Sequence, residues 1–502
     1  MFEINDIIYL DGESMKKKII KVLPYALIIM IVCLMLISKT SQNDLYFDLK
    51  SGKQILKYGL DFQDHFSFIK GLKYVNNHYL YNLIILVVFN IKSFSSLFIF
   101  YLSLYILLGF MVFYVVNKYT NNKNISLITS LLTVLNMRIF YTTRVQSLSF
   151  IIFYLEFYYL NCLYDTGKKK YSIYLILLSI LLVNLHMSVW IIYPVLFLPF
   201  FQEQILIELK NTKFTKIISK KITYNSCKNK RLFTLTFILS VLVGVLSPYK
   251  LLPYTFFIKT IGNKCYEIIV EMQKTVLFSN TSYLFFLLFS VLIVTLLNIK
   301  IKVRDVCYIF GLSILAFMAN RHTSYFLLIV PTIIGMIMGN YLTKIKINCI
   351  KLKNYHLVVI NVILLCTFII LLNGINLKKF DYNEKNEYPV KTVKYIKANL
   401  NYKKIRMFNE FNYGSYLEYN DIKVFIDSRA EVYIKEFNGG KDIMNDYIKV
   451  EDYQSYKFIF DLYNIDYALV FKNSPIYYYL SKDDDFLIIM EENEKYILFK
   501  KY

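Results

Sequence analysis

Long apolar runs, separated by short clusters of lysine, constrain this sequence more than any other feature. A helix needs about 20 apolar residues to cross a hydrocarbon core about 30 Å thick. Runs near that length occur eleven times in the 502 residues. They lie at 19–38, 95–116, 124–140, 147–164, 171–185, 187–202, 232–248, 282–299, 306–319, 323–342 and 355–374. The pattern predicts a polytopic α-helical membrane protein with about eleven transmembrane helices.

The lysine clusters predict the orientation of these helices, because cytoplasmic loops carry an excess of Lys and Arg. If the N-terminus is cytoplasmic, every basic cluster of this half of the chain falls on the cytoplasmic side. These clusters lie at 16–21, 117–124, 168–170, 210–231, 300–304 and 344–353. Eleven crossings then leave the C-terminus outside the cytoplasm.

The formal charge of +22 could also suggest a nucleic-acid partner. The lysines lie in short groups between apolar runs, which is typical of topology signals and not of a continuous basic face. The expected partner is therefore the lipid bilayer, with no nucleic acid.

Residues 1–375 form the predicted transmembrane domain, whose first extracytoplasmic loop spans residues 39–94. Within this loop, residues 44–58 have the apolar spacing of an amphipathic helix. The apolar segment 79–90 is too short to cross comfortably, so we expect a second juxtamembrane helix in the membrane interface.

Residues 376–502 have shorter apolar runs and more charges, which predicts a soluble extracytoplasmic α/β domain. Helices are expected at 390–400 and 451–463, and strands at 404–408, 424–427 and 466–471. Residues 486–490 and 495–500 are expected to form a closing hairpin. Asp427 and Arg429 are interpreted as a structural ion pair.

With this topology, ionisable and amide side chains from distant parts of the sequence fall on the extracytoplasmic face. They are Asp44, Asp48, His78, Arg144, Asn184, His186, Glu271, Arg321 and His322. Ionisable groups close to hydrocarbon are costly and often mark a site, although each could instead be a separate interfacial anchor. Arginine and histidine can hold a phosphate leaving group, and a carboxylate can act as a general base.

Several segments resemble, in order, the motifs of bacterial GT-C membrane glycosyltransferases. In the first outer loop they are residues 44–52 (DLYFDLKSG), 64–68 (DHFSF) and 77–80 (NHYL). At span ends they are 144–150 (RVQSLSF), 183–186 (VNLH), 246–249 (LSPY) and 321–326 (RHTSYF). In the tail, 408–417 (FNEFNYGSYL) and 424–433 (VFIDSRAEVY) resemble the outer domain of largely uncharacterised members.

The resemblance implies a GT-C fold and an enzyme similar to the polyprenyl-phosphate-dependent mannosyl- and aminoarabinose transferases. The catalytic carboxylate of that family maps to Asp44. Two positions depart from the pattern, with Val145 in place of proline and Ser247 in place of asparagine. The loop at 138–146 also lacks the acid of the protein-mannosylating branch, which weakens the case for a protein acceptor and for a metal. A divalent cation would need ligands beyond Asp44, for which Asp48 and Glu271 are the candidates.

The leading hypothesis is a cell-envelope glycosyltransferase that moves a sugar from a polyprenyl phosphate to an extracytoplasmic glycan, lipid or protein hydroxyl. Asp44 is expected to be the general base, and Asp48, one helical turn away, is the second catalytic candidate. Arg144, His186, Arg321 and His322 are expected to bind the donor phosphate, and His78, Asn184 and Glu271 are further site candidates. The alternatives are a non-catalytic protein that binds lipid-linked sugar or glycan and, less favoured, a transporter.

Overall fold

The chain is described here by a computed structural model that covers residues 12–38, 41–209, 222–260, 269–276, 280–296, 301–344, 354–374 and 384–502. The helices before residue 375 are α1 (Gly12–Leu36), α2 (Asn43–Tyr58), α3 (Tyr79–Thr120), α4 (Lys123–Met137), α5 (Gln146–Thr166), α6 (Lys169–Leu185), α7 (Ile192–Val195), α8 (Leu198–Glu208), α9 (Lys230–Leu242), α10 (Leu252–Thr260), α11 (Thr281–Leu296), α12 (Val303–Met318), α13 (Thr323–Lys344) and α14 (Asn354–Gly374). Strands β1 (Ile222–Thr223) and β2 (Ile301–Lys302) pair in parallel.

Each predicted apolar run is helical over most of its length, although residues 297–299 lie outside the described part. Among the described residues, five stretches are long and apolar enough to cross a membrane, and they are Ile19–Leu36, Tyr79–Thr120, Met187–Glu208, Asn320–Leu342 and His356–Asn373. Several apolar helices thus support a multi-pass membrane protein. The total of eleven crossings stays a prediction.

The first loop is built on α2, as the spacing of its apolar residues predicts. Its buried face includes Leu45, Phe47 and Leu49. A β-carbon at Gly52 would lie 2.6 Å from the carbonyl oxygen of Asn82, so the glycine permits close packing of α2 on α3.

Non-helical backbone at Lys92 and Ser93 divides α3 into two parts. The predicted short helix at 79–90 is therefore present, and it is set off from the long apolar part that follows. Its position in the membrane interface stays a prediction.

The C-terminal domain contains a four-stranded sheet in the order β3–β4–β6–β5. Its strands are β3 (Met407–Asn409), β4 (Tyr467–Phe471), β5 (Phe486–Glu492) and β6 (Tyr496–Lys501). Strands β3 and β4 are parallel, whereas β4, β6 and β5 pair antiparallel. Asn493 and Glu494 have positive φ in the predicted β5–β6 hairpin, as a tight turn requires.

Short helices and turns surround this sheet. The helices are α15 (Glu384–Glu387), α16 (Val390–Asn399), α17 (Gly414–Tyr419), α18 (Lys435–Asn438), α19 (Ile443–Lys449), α20 (Tyr456–Leu462) and α21 (Pro475–Leu480). The predicted helix at 390–400 is thus confirmed, and the one at 451–463 is shorter than expected. The predicted domain boundary at 375–376 lies outside the described residues.

The strand predicted at 424–427 is wrong. Val424 makes only an isolated parallel bridge to Ser67 of the first loop. Farther along, the side chain of Asn409 accepts a hydrogen bond from the Phe425 N–H (2.8 Å) and donates to the Ile426 carbonyl (2.7 Å). These partners satisfy the backbone groups that a ladder would otherwise use.

The C-terminal domain shares its core with the first loop. Phe68 and Leu72 of the loop pack in one core cluster with residues of the domain, and Tyr46 of α2 packs in another. The Tyr46 hydroxyl also donates to the Glu384 carboxylate at 2.7 Å. Burial of these side chains stabilises the docking of the domain. The domain caps the end of the helical bundle that carries α2, and this end is termed the capped end.

Candidate active site at the capped end

Helix α2 carries the two aspartates of the predicted site. Asp44 lies in its first turn, where the helix dipole favours a negative charge, and Asp48 lies one turn farther along. Asp48 is 2% exposed, and its Oδ1 has no hydrogen-bond partner among the described residues. Burial raises the pKa of Asp48 well above its usual range, and the charge of Asp44 adds to this rise while Arg144 opposes it. Asp44 is thus the more accessible of the two carboxyl groups.

Arg144 joins two carboxylates that are far apart in sequence. It lies between α4 and α5, and its Nε donates to Asp44 Oδ2 at 2.5 Å. Its Nη1 forms a salt bridge with Glu271, which belongs to the short segment 269–276. The side chains of Asp44, Arg144 and Glu271 are 26%, 22% and 49% exposed, so all three remain open to a ligand.

Two histidines lie beside this cluster. The rings of His78 and His186 meet edge to face, with centroids 5.0 Å apart. His186 Nδ1 shares a hydrogen bond with Ser149 Oγ (2.7 Å), and the Met187 N–H donates to the Asn77 carbonyl (3.0 Å). Burial lowers the pKa of His78 to about 4 and that of His186 well below its usual value. Both rings are therefore neutral at pH 7 and can act as hydrogen-bond partners.

The cluster lies where two cavities meet. A wide cavity of about 620 Å³ has an apolar side that includes Leu135, Ile139 and Phe150. A smaller cavity of about 120 Å³ extends towards the C-terminal domain. Four residues line both cavities, and they are Arg144, Gln146, Glu271 and Arg321. Of the two arginines, Arg321 forms no salt bridge with any residue that the structure describes.

The C-terminal domain supplies one wall of the small cavity, formed by residues 428–431. Glu431 brings a further carboxyl group there, and burial raises its pKa while the charge of Arg321 opposes the rise. Glu431 and Gln146 are not among the site residues expected from the sequence. Both lie within segments that resemble the family motifs, so membership of those motifs was the available signal.

Arg429 attaches this wall to the first loop. Its guanidinium donates to Asp64 Oδ1 (2.6 Å), to Asp427 Oδ1 (2.9 Å) and to Glu418 Oε1 (3.1 Å). Burial alone would raise the pKa of Asp427, but Arg429 and the surrounding hydrogen bonds hold it at about 2. The ion pair interpreted from the sequence is present, and it extends into a buried network that joins two regions.

Seven of the predicted site residues line the small cavity, and they are Asp44, Asp48, His78, Arg144, His186, Glu271 and Arg321. Asn184 and His322 line neither cavity. The Asn184 side chain accepts a hydrogen bond from the Tyr79 hydroxyl (2.5 Å) and donates to the Ile180 carbonyl (2.8 Å). His322 is buried beside Arg321. The structure therefore separates these two from the other candidates.

The Ser247–Tyr249 segment supports the site from outside the cavities. The Tyr249 hydroxyl donates to the Asn76 carbonyl at 2.8 Å, and its ring packs on Phe62. Both partners belong to the first loop, so this segment helps to position it. Within the described residues, no group of three His, Cys, Asp or Glu side chains is arranged to hold a metal ion.

Comparison with known proteins gives a likeness in structure. No protein-family model matches the sequence, and no curated protein matches it by sequence. The oligosaccharyltransferase of Archaeoglobus fulgidus in its apo form is 11% identical with a TM-score of 0.52, and the match covers 90% of this chain and 69% of that one. Its structure tethered to an acceptor peptide containing the NVT sequon gives 10% identity, a TM-score of 0.53, and coverage of 89% and 68%.

ArnT from Cupriavidus metallidurans, bound to undecaprenyl phosphate, is 9% identical with a TM-score of 0.51. This match covers 94% of the present chain and 96% of ArnT. The oligosaccharyltransferase and ArnT are both GT-C glycosyltransferases. The chain therefore has the GT-C fold that the sequence resemblance implied, with a small C-terminal sheet domain.

Proposed function

We propose that this protein is a membrane glycosyltransferase that transfers a sugar from a polyprenyl-phosphate donor to an acceptor hydroxyl. One observation carries the proposal: the Asp44–Arg144 ion pair lies where the wide cavity meets the small one. This arrangement places a base, Asp44, beside a phosphate-binding cation, Arg144, and between two cavities that can each hold a ligand. The GT-C fold supports the same reaction class.

The wide cavity suits the donor. Its apolar side can contact a prenyl chain, and Arg144 and Arg321 lie at the end that it shares with the small cavity. Guanidinium groups bind phosphate oxygens through charge-assisted hydrogen bonds. The likeness to a protein that binds undecaprenyl phosphate supports this assignment.

The proposed reaction exchanges one bond at the anomeric carbon for another. The acceptor oxygen attacks that carbon, its proton passes to Asp44, and the bond from the carbon to the phosphate oxygen breaks. The polyprenyl phosphate leaves with the electron pair. Arg144 and Arg321 stabilise the negative charge that develops on the phosphate. A positioned carboxylate base typically increases the reaction rate by roughly 100- to 10,000-fold.

The small cavity suits the acceptor, because it lies between Asp44 and the wall formed by the C-terminal domain. Glu431 can accept a hydrogen bond from an acceptor hydroxyl there. The acceptor class is a glycan, lipid or protein hydroxyl. We also propose that the capped end faces the outside of the cell, in agreement with the lysine clusters.

Deletion of the gene, followed by mass analysis of surface glycans and lipid-linked sugars, tests the function. Loss of one glycan sugar with accumulation of a polyprenyl-phosphate sugar is the expected result. Complementation with wild type should restore the glycan, whereas Asp44→Asn and Arg321→Gln should not. Asp61→Asn is the matched control, since Asp61 lies in the same loop and pairs with His65 at the surface.

Two results would overturn this assignment. Unchanged glycans and lipid-linked sugars after deletion would remove the enzymatic function. Full complementation by Asp44→Asn would remove Asp44 as the base. Binding of undecaprenyl phosphate without any transfer would instead favour the non-catalytic alternative.

A further inference from the structure

Glu271 occupies a donor position on Arg144 that a phosphate group would need. Arg144 offers Nε to Asp44 and Nη1 to Glu271, and Glu271 is the more exposed of the two carboxylates. Arg144 and Glu271 both line the two cavities. A phosphate that enters the wide cavity therefore meets a guanidinium already paired with a carboxylate.

The segment that carries Glu271 is anchored by hydrogen bonds that do not involve the Glu271 side chain. The Asn320 N–H donates to the Gln273 carbonyl (2.8 Å), and the Thr275 hydroxyl donates to the Ala316 carbonyl (2.5 Å). No hydrogen bond of the Glu271 carboxylate other than that to Arg144 is found among the described residues. The carboxylate can therefore leave Arg144 by a change of side-chain rotamer while its backbone remains anchored.

The charges of substrate and product make such an exchange useful. A sugar linked to a polyprenyl phosphate is a phosphodiester with one negative charge. The leaving group is a phosphomonoester, whose charge at pH 7 approaches about −2. The product thus binds arginine more strongly than the donor does, which favours slow release of the product.

We propose that Glu271 competes with the lipid phosphate for Arg144 and that its return to Arg144 expels the polyprenyl phosphate after transfer. This inference rests on the proposed function and adds a role in product release. Glu271 does not touch the reacting atoms in this scheme. It acts through Arg144, as a ligand that exchanges with phosphate.

Binding of undecaprenyl phosphate to the purified full-length protein in nanodiscs tests the inference. Glu271→Gln removes the competing charge while it keeps the size of the side chain, so the dissociation constant should fall about fivefold or more. Glu208→Gln is the matched control. Glu208 is also exposed and pairs with a cation, Lys230 at 3.1 Å, outside both cavities. Its substitution should leave the dissociation constant unchanged.

A second ligand separates charge competition from a general structural effect. Undecaprenol lacks the phosphate, so Glu271→Gln should not change its affinity. Equal affinities of wild type and Glu271→Gln for undecaprenyl phosphate would overturn the exchange role, as would equal tightening for both lipids. If neither wild type nor Glu271→Gln binds undecaprenyl phosphate, the proposed function is overturned together with the inference. Glu271→Ala, measured in parallel, covers poor folding of the first variant.

Discussion

The two ends of the helical bundle each contain an arginine in an ion pair, yet the surroundings of the two arginines differ. At the capped end, Arg144 is 22% exposed and borders two cavities. At the opposite end, the Arg304 side chain is fully buried and donates two hydrogen bonds to Asp165, at 2.9 and 3.1 Å. The rings of Tyr164 and Phe200 lie 5.2 and 5.4 Å from its guanidinium carbon.

Enclosure of the side chain, and not the ion pair itself, separates a binding arginine from a structural one. Aromatic rings cover the Arg304 guanidinium, whose Nη2 donates to Asp165 and whose Nε and Nη1 have no hydrogen-bond partner among the described residues. No aromatic ring of the described residues covers Arg144, which is 22% exposed. An anion can therefore replace a partner of Arg144, whereas it cannot reach Arg304 without disrupting the packing.

The largest expected difference between the two ends is in their accessibility from outside the cell, because we propose that they lie on opposite sides of the membrane. A cysteine that replaces exposed Lys482 of the C-terminal domain should react fully with a membrane-impermeant maleimide in intact cells. A cysteine that replaces Glu208 at the opposite end should react only after the cells are opened, because the lysine clusters predict that this end is cytoplasmic. Both variants are made in a background without the native cysteines. The reverse labelling pattern would invert the proposed orientation.

The next largest contrast concerns stability. Arg304→Leu removes a fully buried guanidinium with its hydrogen bonds to Asp165 and its contacts with two aromatic rings, so the free energy of unfolding should fall by roughly 3 kcal/mol. Arg144→Leu leaves two carboxylates that water can reach, and we expect a loss of about 1 kcal/mol. Thermal unfolding of both variants in the same detergent measures the difference. Equal losses would show that Arg144 is as much a structural residue as Arg304.

The smallest contrast is a pH dependence confined to the capped end. Burial lowers the pKa of His78 from 6.5 to about 4, so the unfolded chain binds more protons between these values. Stability contributed by neutral His78 is therefore lost as the pH falls through this range. Relative to His78→Gln, wild type should lose roughly 1 kcal/mol of unfolding free energy between pH 6.5 and pH 5.5.

His65→Gln is the control for this measurement, because His65 is exposed and pairs with Asp61. The loss of stability between pH 6.5 and pH 5.5 that His78→Gln removes should persist in this variant. A constant difference between wild type and His78→Gln across this pH range would contradict the burial of a neutral imidazole.

Features set by local interactions could be predicted from the sequence, whereas features set by long-range contacts could not. Helices such as α5 and α14 were predictable, because an unbroken apolar run in a bilayer must satisfy its backbone internally. The β5–β6 hairpin was also predictable from alternating strands around a short polar turn. The strand expected at 424–427 failed, because the side chain of Asn409 and the first loop satisfy those backbone groups. Neither partner is near in sequence.

Part of the candidate site could be predicted from the sequence, and part of it depends on the folded structure. The one-sided arrangement of Asp44, Arg144, His186 and Arg321 could be inferred from topology, because crossings that alternate in direction return these loops to the same end. The exclusion of Asn184 and His322 from the cavities could not, since it depends on which way a side chain points from its helix. Glu431 lies in the cavity wall through the docking of its domain on the first loop, to which Arg429 contributes its pairing with Asp64.

Hydrophobic run length and loop charge act locally along the chain, so the class of molecule and the polar groups near one end follow from the order of the residues. Folding sets which carboxylate pairs with Arg144, which arginine stays without a salt bridge among the described residues, and which wall the C-terminal domain supplies. These outcomes depend on contacts between segments more than 100 residues apart, such as Glu271 with Arg144. Their energies come from burial and charge pairing, and no local pattern encodes those.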